Sequence, residues 1–172
     1  EVIVLLGGEL EDPSDLVSWI LESSNPSASQ DTCDLARDLL SEIGLRNDID
    51  MAVLCERLID AAISTLADWQ LALILSAKAL WLDARSSHDQ ARVIRKQIAG
   101  RFKESEDQVA VDYALEAMMQ IATDARAVGN SAEAAAVYDT ILHQFFDNPR
   151  AESWIAEALF LKATCLEETD EV

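Results

Sequence analysis

The stretch SAEAAAVYDTILHQFFDNPRAESWIAEALFLKATCL, residues 131–166, decides the fold. Apolar residues recur at helical spacing on both sides of Asp147-Asn148-Pro149. Asn and Pro stop a helix and start another, so the stretch reads as a helix, a short turn and a second helix. The rest of the chain reads as imperfect copies of this hairpin.

The 172 residues suffice for one domain with a sizeable core. Half the chain is apolar, while only five Gly and three Pro supply turns. That balance favours long helices and an all-α protein. Expected helices run from about Asp12 to Glu22, Asp31 to Ile43, Asp48 to Leu66, Asp68 to Ala84, His88 to Phe102 and Glu106 to Val128, followed by the hairpin. The Asp68–Ala84 segment is apolar nearly all round and must be covered on several sides. VIVLL at residues 2–6 reads as a short strand or a helix tail, and the polar loop at residues 23–30 is the best boundary. Residues 1–30 are therefore an N-terminal segment whose membership is open, and residues 31–172 form the helical repeat domain. With Glu1 in place of Met and no basic leader, a piece of a longer protein is the expectation.

The net charge is −19, which disfavours nucleic-acid phosphates and anionic membrane surfaces. The charge is uneven. Residues 85–103 carry Arg85, Arg92, Arg95, Lys96, Arg101 and Lys103 against Asp89, a basic island between two acidic halves. Arg92, Arg95 and Lys96 span a broad outer helix face that either offsets acidic neighbours or docks an acidic partner, a second copy included. No apolar run reaches transmembrane length. Three cysteines, Cys33, Cys55 and Cys165, without a CxxC or Cys/His cluster suggest neither a disulfide framework nor a zinc site, and a reducing, cytoplasmic setting is expected. No phosphate loop, dinucleotide fingerprint or hydrolase motif is present, so no cofactor and no catalytic residue is expected. His88 and His143 lack ligand-spaced companions and read as surface or capping residues. Trp69, Trp81 and Trp154 read as packing between repeats.

An internal register supports the repeat reading. Ala52, Ala91 and Ala134 each stand early in a helix, with Ile59, Ile98 and Ile141 seven residues on. Leu40, Ala79 and Ala122 precede those alanines by twelve residues, and Ala163 occupies the same place in the last helix. Small residues at these places let neighbouring helix backbones approach closely.

This pattern resembles the tetratricopeptide repeat family. Around Gly129, residues Ala122, Gly129, Ala134, Tyr138 and Ile141 match the family's small, loop, small, aromatic and apolar positions. Lys162-Ala163, echoed by Lys78-Ala79, is similar to a Lys-Gly pair of bacterial versions. The likeness is good over residues 115–168 and degenerate over 31–168. Ala79, Ala122 and Ala163 are spaced by 43 and 41 residues, beyond the family's roughly 34-residue unit, and Arg95 stands where Tyr138 matches the aromatic. The resemblance implies a right-handed α-solenoid of stacked antiparallel helix pairs. It implies a non-catalytic module that binds a protein or peptide in a helical groove, as scaffold, adaptor or regulatory domain of a larger bacterial protein. In that register Lys78, Lys162 and Arg126 meet carboxylates of a bound segment, and Met119 and Phe160 face the groove. Read from the residues alone, the two lysines instead snorkel, with stems over the core and ammonium groups paired to nearby acids. Two other classes stay open: an acidic mimic of nucleic acid that occupies a basic protein site, and a helical enzyme domain with dispersed carboxylates.

Overall fold

In a computed structural model of the chain, residues 66–170 are described. Expectations for the N-terminal segment, for the helices before Asp68, and for Cys33, Cys55, Leu40, Ala52 and Ile59 lie outside them. Within the described residues the protein is all-α, without strands: α1 (Asp68–Ala84), α2 (His88–Phe102), α3 (Gln108–Ala127), α4 (Ser131–Phe145), a 3-10 turn (Pro149–Ala151) and α5 (Glu152–Asp170).

The helix ends follow from local chemistry. Gln70 at the start of α1 accepts the Ala67 backbone N–H through its side-chain oxygen at 2.9 Å. The α3 helix begins two residues later than the sequence suggests, because Asp107 caps it and accepts the N–H groups of Val109 and Ala110 at 3.0 and 3.4 Å. It stops at Gly129, whose φ of +80° suits a residue without a Cβ. There the Asn130 N–H turns back to the Ala125 carbonyl at 2.9 Å. Asn130 then caps α4: its side-chain oxygen accepts the Glu133 N–H, and its amide donates to the Glu133 carboxylate. Asn148 accepts the Arg150 N–H, so the expected Asp147-Asn148-Pro149 turn is the observed one.

Each helix packs on its successor, and the odd-numbered helices also touch in sequence, α1 on α3 and α3 on α5. As its composition demands, α1 buries an unbroken run from Trp69 to Leu75. The repeated alanines sit where helices meet. Ala79 and Ala91 share one buried cluster with Leu82, and Ala122 and Ala134 share another with Tyr138, Ile141 and Phe145. Ile98 and Ile141 are both buried. Ala163, at the third equivalent place, is exposed.

That contrast gives a direct test. Ala122→Leu inserts a side chain between packed helices and costs about 1–3 kcal/mol of stability. Ala163→Leu meets solvent and stays within about 0.5 kcal/mol of the parent. Urea midpoints of the two variants check it, and equal losses at both sites would contradict the register.

Candidate partner-binding surface

The basic helix α2 divides into an inner and an outer part. Its buried stripe is Ala91, Arg95, Ile98 and Phe102, so Arg95 faces inward instead of lying on the broad outer face expected of it. Its guanidinium bridges Asp83 on α1 and Asp124 on α3, the latter at 3.1 Å. Arg92 is half-buried and donates to Glu133 on α4 at 2.5 Å. Lys96 is exposed, beside an exposed Val93. Two of the three candidate bases thus answer carboxylates on neighbouring helices, which is the offsetting role. His88 contacts Asp83 at 3.1 Å rather than its neighbour Asp89.

The candidate groove residues are separated in the same way. Lys162 donates to Asp139 on α4 at 2.5 Å, as a snorkelling lysine does. Lys78 is half-buried and engaged within the fold. Met119, expected to face a groove, is instead buried in the core with Met118 and Ala122. The reason is the width of the buried arc on α3, which packs against α1, α2, α4 and α5 at once.

Arg126 holds Glu168 through a forked contact, Nη2 to Oε1 at 2.6 Å and Nε to Oε1 at 3.0 Å. Ser131 Oγ donates to the other oxygen of Glu168 at 2.7 Å. These hydrogen bonds, from Arg126 first and Ser131 second, hold the Glu168 carboxyl below its ordinary range and raise the Arg126 guanidinium. One carboxylate thereby ties α5 to α3 and to the start of α4. A depressed folded-state value gives stability that is present above the ordinary value of 4.5 and lost as pH falls through the folded one. Glu168→Gln is therefore less stable than the parent at pH 7, and the difference closes as the pH drops below 4.5. Thermal melts across that range read it directly; a pH-independent difference would exclude the ionic contact as its source.

The remaining candidates are structural. Trp69 is buried, Trp154 packs against the core, and Arg85 stacks on the Trp81 ring at 4.1 Å. Cys165 is buried, and that burial raises its thiol, which keeps it protonated and unreactive. Among the described residues no group of His, Cys, Asp and Glu could hold a metal ion, and no helix is long and apolar enough to cross a membrane. The cleft over Arg95, lined by Ser76, Leu80, Glu116 and Gln120, holds only about 40 Å³, enough for a water or two and far below the roughly 300 Å³ of a small-molecule site.

Phe160 alone among the candidates is both apolar and open, at 71% exposure. Leu159 beside it is 52% exposed, and Ala156 and Ala163 complete an exposed stripe at helical spacing. Glu152, Glu157 and Glu167 are exposed around it. Leu159 was not legible as a surface residue, since its apolar character and spacing match those of the core. Compared with protein-family models, curated proteins and solved structures, the chain matches none.

Proposed function

We propose that the chain is a non-catalytic protein-interaction module, a tetratricopeptide-like right-handed stack of helix pairs that binds another protein through apolar surface on its odd-numbered helices. The observation that carries this reading is the pairing of exposed Phe160 and Leu159 on α5 within an acidic rim. Exposed apolar surface of this kind, rimmed by polar residues, is what partner binding uses. The candidate bases Arg92, Arg95, Arg126 and Lys162 are already held by carboxylates of the same chain, which leaves them little role in recognition.

The test is retrieval of partners from the native host at two salt concentrations. Leu80→Glu/Phe160→Glu places charge on two exposed apolar positions of α1 and α5 and abolishes retrieval, whereas Lys78→Glu/Lys162→Glu leaves it largely intact. Retention of every partner by the Leu80→Glu/Phe160→Glu variant overturns the proposal. Retrieval of basic nucleic-acid-binding proteins that vanishes in high salt would favour the mimic reading instead.

A further inference from the structure

The outer face of α2 holds a glycine that the packing of the described residues does not use. Gly100 stands in the last turn of α2 and is exposed, and a Cβ added there meets no atom within 4 Å. Glycine is the poorest helix former after proline, and no close contact inside the fold accounts for it here. Val93, seven residues earlier, is 64% exposed. At 3.6 residues per turn Val93, Gln97 and Gly100 form one stripe, with Lys96 on one flank and Arg101 on the other, and all five are exposed. The two flanking bases stand apart from the other helical ones. Arg92, Arg95, Arg126 and Lys162 each meet a carboxylate on a neighbouring helix. Lys96 and Arg101 meet none among the described residues, in a chain that carries 32 acids against 13 bases. Arg101 lies instead over the ring of its neighbour Phe102, at 5.6 Å.

From this stripe we infer that the outer face of α2 docks an acidic amphipathic helix of another protein, crossing at Gly100. The site is separate from the odd-numbered helices of the proposed function and goes beyond that reading. The distance between two packed helices is set by the side chains at their crossing. Without a Cβ at 100, a second backbone comes closer there than any other residue allows. Val93, two turns back, supplies the apolar contact. Lys96 and Arg101 then stand on either side of the incoming helix and meet Glu or Asp on its two flanks. The inner bases of the same helix already behave in this way, Arg92 towards Glu133 of α4 and Arg95 towards Asp83 of α1 and Asp124 of α3. The acids at the ends of the stripe do not reverse its sign. Glu104 is answered by Lys103 at 3.6 Å, and Asp89 lies a turn before Val93, away from the crossing. A second copy of the chain does not fit. A two-fold crossing of α2 on itself at Gly100 sets the two Arg101 flanks side by side and each Lys96 beside a Lys103, like charges both times.

The probe is a labelled helical peptide of about 20 residues with Leu and Ala on one face and Glu on both flanks, and its control carries Lys in place of Glu. Fluorescence anisotropy with the full chain at low salt shows saturable binding of the acidic peptide, and the basic control binds about tenfold more weakly or worse. Gly100→Gln fills the notch at an exposed position and exchanges glycine for a better helix former. Its melting temperature therefore rises by about 2–4 °C, yet it weakens the acidic peptide about tenfold or more. A glycine with a merely structural role cannot give a variant that is more stable and binds less. Lys96→Gln/Arg101→Gln flattens the salt dependence and removes the preference for the acidic peptide. Leu80→Glu/Phe160→Glu, which disables the other face, leaves the peptide bound; loss of the peptide with that variant places the site elsewhere and overturns the inference. Undiminished binding to Gly100→Gln overturns it too, as does equal affinity for the two peptides. Sedimentation in which the parent dimerises and Gly100→Gln does not also overturns it, because the occupant is then a second copy.

Discussion

Arg95→Ala lowers the unfolding free energy by about 3 kcal/mol, the lower end for breaking a buried ion pair by deleting one partner. The side chain is 7% exposed and joins three helices, meeting Asp83 on α1 and Asp124 on α3. Removing it leaves two carboxylates facing each other across a gap without their shared cation. Both acids are partly open to water, at 24% and 34%, so solvent screens some of the loss and keeps it from the top of the range. Arg95→Lys recovers only part, since one ammonium cannot reproduce a fork that reaches two carboxylates. Joint replacement with Arg95→Leu, Asp83→Ala and Asp124→Ala returns most of the stability, because the desolvation of all three charges disappears with them. Urea unfolding with an unchanged slope is the measurement. A loss under about 1 kcal/mol for Arg95→Ala, the range of a surface pair, would show that the node does not hold the helices together.

Arg95 also shows where sequence reasoning succeeded and where it failed. Residue type argued for the outside, because arginines are rarely buried. Position argued for the inside: Arg95 stands four residues after Ala91, as Tyr138 stands four after Ala134. The structure follows position. The bounds of α1 and α2 were legible because turn residues and apolar periodicity agree there, and α3 started late only because Asp107 caps better than it extends a helix. Met119 was misplaced for a different reason. A groove-facing assignment assumes a narrow buried stripe, whereas α3 is packed from several directions and buries both Met118 and Met119. The open face of α5 was the least legible feature. Ala156 and Leu159 carry the same apolar chemistry as Leu115 and Met118, yet the first pair is exposed and the second buried. Periodicity reports which residues are fit to be buried, and the neighbours decide which of them are.

The second large effect falls at Tyr138, which stands four residues after Ala134 as Arg95 stands four after Ala91. Tyr138→Ala costs about 3–5 kcal/mol, as for other aromatic truncations in a packed core. Tyr138 has no exposed surface and lies among Ala122, Ala134, Ile141, Phe145 and Cys165, where α3, α4 and α5 converge. The ring fills volume that alanine leaves empty, and surrounding helices tied by the Arg126–Glu168–Ser131 contact cannot close the gap freely. The hydroxyl contributes less. Tyr138→Phe keeps the ring and costs about 1 kcal/mol. Burial raises the phenol above its ordinary value of 10.0. A raised folded-state value gives stability that is complete below the unfolded value and is lost as pH climbs from there through the folded one. The parent therefore weakens with alkali above pH 10.0 more steeply than Tyr138→Phe, and the gap between them shrinks. Because Tyr138 packs only where α3, α4 and α5 converge, the damage of Tyr138→Ala is also local; the proposed stack of helix pairs requires this. Hydrogen exchange in that variant accelerates first in α4 and α5, while α1 and α2, held by Arg95 and Asp83, keep more of their protection. Simultaneous loss in all five helices would instead mean that the described residues unfold as one cooperative unit, and the proposed modular stack would have to be given up.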